Sequence, residues 1–133
     1  MRIAIAAVGR MKAGPERELV ARYLDRASGA GKPLALTGFD VIELTESRAS
    51  SSASRKADEA RALRTALPDG FVVALDERGK SIASEGFARQ IERWRDNGRP
   101  AISFVIGGAD GLDPAFVATA DLVLSFSPMV WPH

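Results

Sequence analysis

The sequence predicts an α/β protein, a single-domain five-stranded and mainly parallel sheet flanked by helices. Three observations lead to this. Short apolar runs rich in Ile, Val and Leu alternate along the 133 residues with longer amphipathic segments, the order expected of strands joined by crossover helices. One run, FVVAL at 71–75, is continuously apolar, as a parallel strand covered on both sides must be. Another, beginning at Ala101, runs straight into the glycine-rich acidic loop GGADGLDP, and open α/β sheets take their ligands outside the carboxyl ends of strands.

The elements follow in order. RIAIAAV at 2–8 is short, apolar and stopped by Gly9, which reads as a buried first strand. Pro15 opens a helix expected to run to about Ser28, with Leu19, Val20, Tyr23 and Leu24 at helical spacing and GAGKP closing it. FDVIEL at 39–44 alternates as a second strand, and TESRASSSAS after it reads as a mobile polar loop. Arg55 to Leu67 places Ala57, Ala60, Leu63 and Leu67 on one face of a second helix ended by Pro68. The third strand, 71–75, is followed by the polar segment DERGK. Ser84 to Trp94 makes a third helix on Phe87, Ile91 and Trp94, halted by Asn97-Gly98. The fourth strand ends in Gly107, Gly108 and Gly111; Asp113 then serves as N-cap and Pro114 as the first residue of a short helix to Ala120. DLVLSF at 121–126 is the fifth strand.

Composition narrows the chemistry. There is no cysteine and one histidine, the terminal His133, which removes disulfides, thiol catalysis, cysteine-type zinc sites and histidine triads. No apolar run reaches membrane-spanning length and the first one is too short for a secretory signal, so a cytoplasmic protein is expected. Lys plus Arg is 18 against 17 for Asp plus Glu, a formal charge of +1, so any RNA contact must rest on local basic residues such as Arg10, Lys12, Arg78 and Lys80. The first strand lacks G-x-G-x-x-G, and GGADGLDP lacks the lysine and hydroxyl of a phosphate-cradling loop. Dinucleotides and nucleoside triphosphates are thereby disfavoured. Strands three, four and five end in Leu75-Asp76, Gly107-Gly108 and the apolar 126–131 segment, and these ends can converge on one adenine-sized slot.

ALDERGKSIASEGFA at 74–88, SFVIGGADGLDP at 103–114 and LSFSPMVWPH at 124–133 together resemble the SPOUT-superfamily methyltransferases of the ribosomal RNA large-subunit methyltransferase H family. The resemblance extends along the chain from the first strand onward. It implies S-adenosylmethionine as methyl donor, N3 of a pseudouridine in 23S ribosomal RNA as acceptor, a trefoil knot and a homodimer. It also implies cofactor contacts at Leu75, Gly107, Phe126, Ser127, Pro128, Met129, Val130 and Trp131. In that scheme Leu75, Met129, Val130 and Trp131 wall an adenine face, and Gly107 admits backbone groups where a Cβ would intrude. Asp76 and Asp110 stand beside the slot, to orient a ribose or base or, for Asp110, to shape a turn; no residue is assigned a catalytic role. Members of that family continue past the proline-histidine pair into a final helix and tail. The expectation for a chain ending at His133 is a C-terminally truncated member spanning 1–133, with an incomplete knot, folded but catalytically silent. The competing expectation is a non-catalytic ribosomal RNA-binding or structural α/β module.

Overall fold

A computed structural model describes residues 1–129. In chain order the elements are β1 (Arg2–Val8), α1 (Pro15–Gly31), a 3-10 turn (Lys32–Leu34), β2 (Thr37–Leu44), α2 (Ser52–Ala66), β3 (Phe71–Lys80), α3 (Ser84–Asn97), β4 (Ala101–Ile106), α4 (Pro114–Thr119) and β5 (Leu122–Leu124). The five strands form one sheet in the order β2-β1-β4-β3-β5, and every neighbouring pair is parallel. All strands therefore direct their carboxyl ends to the same edge.

The alternation of side chains along each strand sorts the core onto two faces. On one face Ala6, Val8, Ala74 and Val105 meet Ala60 and Leu63 of α2 and Phe116 of α4. On the other, Ile3, Phe71, Val73 and Ile102 meet Trp94 of α3, with Phe87 and Ile91 of the same helix packed alongside. Trp94 stacks on Phe71 with ring centroids 4.7 Å apart, and the Arg99 guanidinium lies 4.5 Å from the centroid of the Phe71 ring. Burial of both sheet faces is what the continuous apolar runs of β3 and β4 require.

Several boundaries differ from the sequence expectation, each for a local reason. Helix α1 continues through Gly29 to Gly31, because Gly31 packs where a Cβ would lie 2.7 Å from both the Leu36 carbonyl and the Phe39 ring. Strand β2 begins two residues early, at Thr37; a register shift against β1 between Ile3 and Ala4, with Gly38 and Phe39 at positive φ, breaks the alternation that marks a strand. Helix α2 begins at Ser52, not Arg55, since the Ser54 N–H donates to the Ser51 hydroxyl at 3.1 Å and caps the helix inside the serine run. The segment before it, expected to be mobile, is pinned: Ser47 donates its N–H to Glu59 and its hydroxyl to Asp58, both at 2.9 Å. Helix α3 runs on to Asn97 before Gly98 closes it in the left-handed region. Helix α4 stops at Thr119 and β5 covers only Leu122–Leu124.

The largest difference is in β3, which does not end at Leu75. Leu75 and Lys80 both pair with Leu124 of β5, and Asp76 to Gly79 are extruded between them. The DERGK segment is thus a bulge within the strand that re-aims the chain over the carboxyl edge of the sheet.

Candidate functional site

A cleft of about 870 Å³ opens at that edge, over the ends of β3, β4 and β5. Its walls come from Leu75, Asp76 and Glu77, from Ile106 through Leu112, and from Leu124, Phe126, Ser127 and Met129. The register explains the convergence: Leu75 lies opposite Ile106 on one side and Leu124 on the other. Of the eight positions singled out in the sequence, Leu75, Gly107, Phe126, Ser127 and Met129 line this one cleft. Pro128 is exposed beside it without lining it. Val130 and Trp131 lie outside the described residues, as do Pro132 and His133.

The apolar part of the wall is unusually open. Phe126 and Met129 retain 76% and 67% of their surface to solvent, so the cleft presents apolar area that the described chain leaves uncovered.

The glycine loop owes its shape to close approach of backbone to backbone. A Cβ on Gly107 would lie 2.8 Å from the Gly111 carbonyl carbon and 3.0 Å from the Leu112 Cγ. The space belongs to the returning loop itself, so the glycine is required for the loop to close, not directly to clear a ligand. Gly111 donates its N–H to the Gly108 carbonyl at 2.9 Å and completes that turn. Asp113 starts α4 through its backbone, its side chain making no capping bond, and Pro114 takes the first helical position.

Carboxylates rim the cleft, and each is held differently. Asp110 is paired with Arg55 of α2 through two bonds, 2.7 Å from Nε and 3.2 Å from Nη2. The hydrogen bond from Arg55 and its charge hold the Asp110 carboxyl below its ordinary value of 3.8, against a smaller opposing effect of desolvation. The same pairing raises Arg55. Asp76 has a nearly buried side chain and accepts the Arg78 N–H at 2.8 Å, a bond that folds the bulge back on itself. Asp110 is therefore a strut between α2 and the loop as well as part of the wall, and Asp76 braces the β3 bulge.

Sequence reasoning missed two anchors. Ser125, 6% exposed, has its hydroxyl 3.1 Å from the Glu77 carbonyl and 2.9 Å from the Ser127 carbonyl, and accepts the Ser127 N–H at 3.2 Å. It also donates its own N–H to the Lys80 carbonyl at 2.9 Å, so one small side chain ties the β3 bulge to the 125–129 segment. Gly79 lets this happen: a Cβ there would fall 2.6 Å from the Val123 carbonyl oxygen. The signal for Ser125 is weak in sequence because serine reads equally well as a loop residue. The second anchor, Arg55, reads in sequence as one charge among several on a solvated face.

Among the described residues no group of three or more His, Asp or Glu side chains is arranged to hold a metal ion. No helix among them is long and apolar enough to cross a membrane. The basic residues Arg10 and Lys12 follow β1, and Arg78 lies in the β3 bulge, so three of the four local cations named from sequence stand at the cleft's edge of the sheet; Lys80 closes the bulge.

A family model described as predicted SPOUT methyltransferase matches residues 1–133. A protein of Allorhizobium ampelinum named ribosomal RNA large subunit methyltransferase H is 57% identical over 134 residues, covering 100% of this chain and 84% of that protein. Proteins of the same name from Brucella anthropi and Rhodopseudomonas palustris are 52% and 51% identical, with the same coverage of 100% and 84%.

Proposed function

The chain belongs to the SPOUT methyltransferase family, and from that premise we propose that it methylates large-subunit ribosomal RNA, with S-adenosylmethionine as donor and N3 of a pseudouridine in 23S ribosomal RNA as acceptor. The observation that carries this reading is the convergence of Leu75, Gly107, Phe126, Ser127 and Met129 on one cleft at the carboxyl edge of the sheet. The name that the relatives share supplies the ribosomal RNA.

The residues present fit the donor. The cleft's volume of about 870 Å³ lies in the range of small-molecule sites. Leu75, Leu124, Phe126 and Met129 offer apolar area for a purine, and the Gly107–Gly111 turn offers backbone groups for its polar edge. Asp76, Glu77 and Asp110 in the wall suit a ligand that carries positive charge at its sulfonium and amino groups. By the family resemblance Pro128, Val130 and Trp131 complete the binding segment. When bound, the donor supplies an already activated methyl group. What remains for the chain is to fix the donor's orientation, present the acceptor nitrogen in line and keep water out. Ser125 and the Arg55–Asp110 pair perform the first of these tasks by holding the three segments that form the wall. Arg10, Lys12, Arg78 and Lys80 supply phosphate contacts local to that edge, since the formal charge of +1 gives no general attraction to RNA. A homodimer working on ribosomes in the cytoplasm belongs to the same reading.

The test is transfer of labelled methyl from S-adenosylmethionine to ribosomes that lack the modification, with the modified nucleotide located by mass spectrometry. One methyl on one pseudouridine of 23S ribosomal RNA is expected. A folded protein that transfers no methyl to any ribosomal RNA, the outcome expected of a truncated member, would reject the reading.

A further inference from the structure

Behind the glycine loop lies a buried acid that the proposed reaction does not use. Glu59 of α2 is 6% exposed. Its Oε2 accepts the Ser47 N–H at 2.9 Å, whereas its Oε1 is buried without a hydrogen-bond partner. That oxygen is aimed at the cleft's loop: a Cβ on Gly108 would lie 3.1 Å from Oε1, and also 3.1 Å from the Val8 Cγ1. Gly108 lines the cleft; Glu59 supports it from the core side. A buried acceptor with no partner is costly and uncommon, and its persistence calls for an explanation.

We propose that Glu59 is the positioning residue of the glycine loop, bracing Gly108 with Oε1 and accepting a loop backbone N–H there when the cleft is filled, while Oε2 holds the β2–α2 loop through Ser47. The carboxylate thereby joins two loops of the carboxyl edge. One belongs to the cleft. The other is continuous with β2, whose Glu43 accepts the Met11 N–H at 2.6 Å in the segment carrying Arg10 and Lys12. Filling the cleft then tightens the β2–α2 loop as well. The ligand-dependent part rests on the donor reading above; the brace itself does not.

Glu59→Gln separates the two oxygens. The Ser47 N–H is a donor and needs the amide oxygen, which forces the amide NH2 towards Gly108, where it cannot accept. With the cleft filled by S-adenosylmethionine, hydrogen exchange of this variant is expected to be faster than the parent's in segment 107–111 and unchanged in 45–49. Parental exchange at 107–111 in the filled, folded variant would overturn the acceptor role. Gly108→Ala leaves the carboxylate in place but presses a methyl on Oε1, and should loosen 45–49 together with 107–111; loosening confined to 107–111 would overturn the link between the loops. In calorimetric titration with S-adenosylmethionine, Glu59→Gln should bind roughly ten- to a hundredfold more weakly than the parent, the scale of one lost hydrogen bond to a charged acceptor. Equal affinity would overturn the proposed acceptor role. Absence of saturable binding by the parent would count against the donor reading, and the exchange of the unliganded Gly108→Ala variant would still decide the brace.

Discussion

At the scale of single residues the cleft depends on contacts that leave little room for change. Gly107→Val places a branched side chain where Gly111 and Leu112 already stand, so the loop must open. We expect a loss of stability of about 1–3 kcal/mol, typical of overpacking, together with loss of saturable S-adenosylmethionine binding. A thermal melt beside a calorimetric titration checks both, and parental affinity in the folded variant would separate the loop from the site. The Arg55–Asp110 pair gives a prediction in pH. Because Asp110 titrates below its ordinary 3.8 in the folded protein, its contribution is complete above that value and disappears as the pH falls through the lowered one. An NMR titration of the Asp110 carboxyl should therefore show a midpoint below 3.8 in the parent and a return towards 3.8 in Arg55→Ala. Asp110 stands out in the sequence beside the slot, but its partner does not. Arg55 sits among Lys56, Arg61 and Arg64 on a basic helix, and only the crossing of α2 over the β4–α4 loop selects it. Gly107 was legible, but the reason for it was not, since which atoms a missing Cβ would strike is a property of the folded loop.

The elements are legible where periodicity is strong and obscure where it breaks. The apolar runs of β1 and β4 and the Phe87, Ile91, Trp94 spacing of α3 survive intact because each has one face or two to bury. Trp94→Ala should cost about 3–5 kcal/mol, the range for removing a buried aromatic, measurable by denaturant unfolding; a loss under about 1 kcal/mol, well below that range, would mean that the stack on Phe71 does not support the sheet. The β2 start is hidden by its bulge, and the β3 bulge is hidden by polar residues that look like an ordinary loop. That bulge brings Asp76 and Glu77 into the cleft wall, and Ser125 fastens it. Ser125→Ala removes a hydroxyl shared by the Glu77 carbonyl and the Ser127 N–H and carbonyl. The expected cost is about 1 kcal/mol, with faster hydrogen exchange in both 76–80 and 125–129; a change in one segment alone would show that the two are held independently.

For the whole molecule, the parallel order β2-β1-β4-β3-β5 gathers three strand ends and their loops at one edge, and the cleft forms there. The family was legible from three motifs in the chain, and its relatives match over the full length. On the proposed function, the near-balanced charge of +1 leaves RNA binding to local cations at that edge. Replacing Arg10, Lys12, Arg78 and Lys80 together should weaken binding to 23S ribosomal RNA and flatten its dependence on salt, by up to roughly 0.7–0.9 in log–log slope for each phosphate that is no longer neutralised. An unaltered slope would place the RNA-binding surface elsewhere. Whether the cleft over β3, β4 and β5 is the donor site is decided by amide chemical-shift mapping during titration with S-adenosylmethionine. Saturable shifts confined mainly to 75–79, 107–112 and 124–129 are predicted; saturable shifts centred on another part of the sheet, or none at saturating donor, would contradict it.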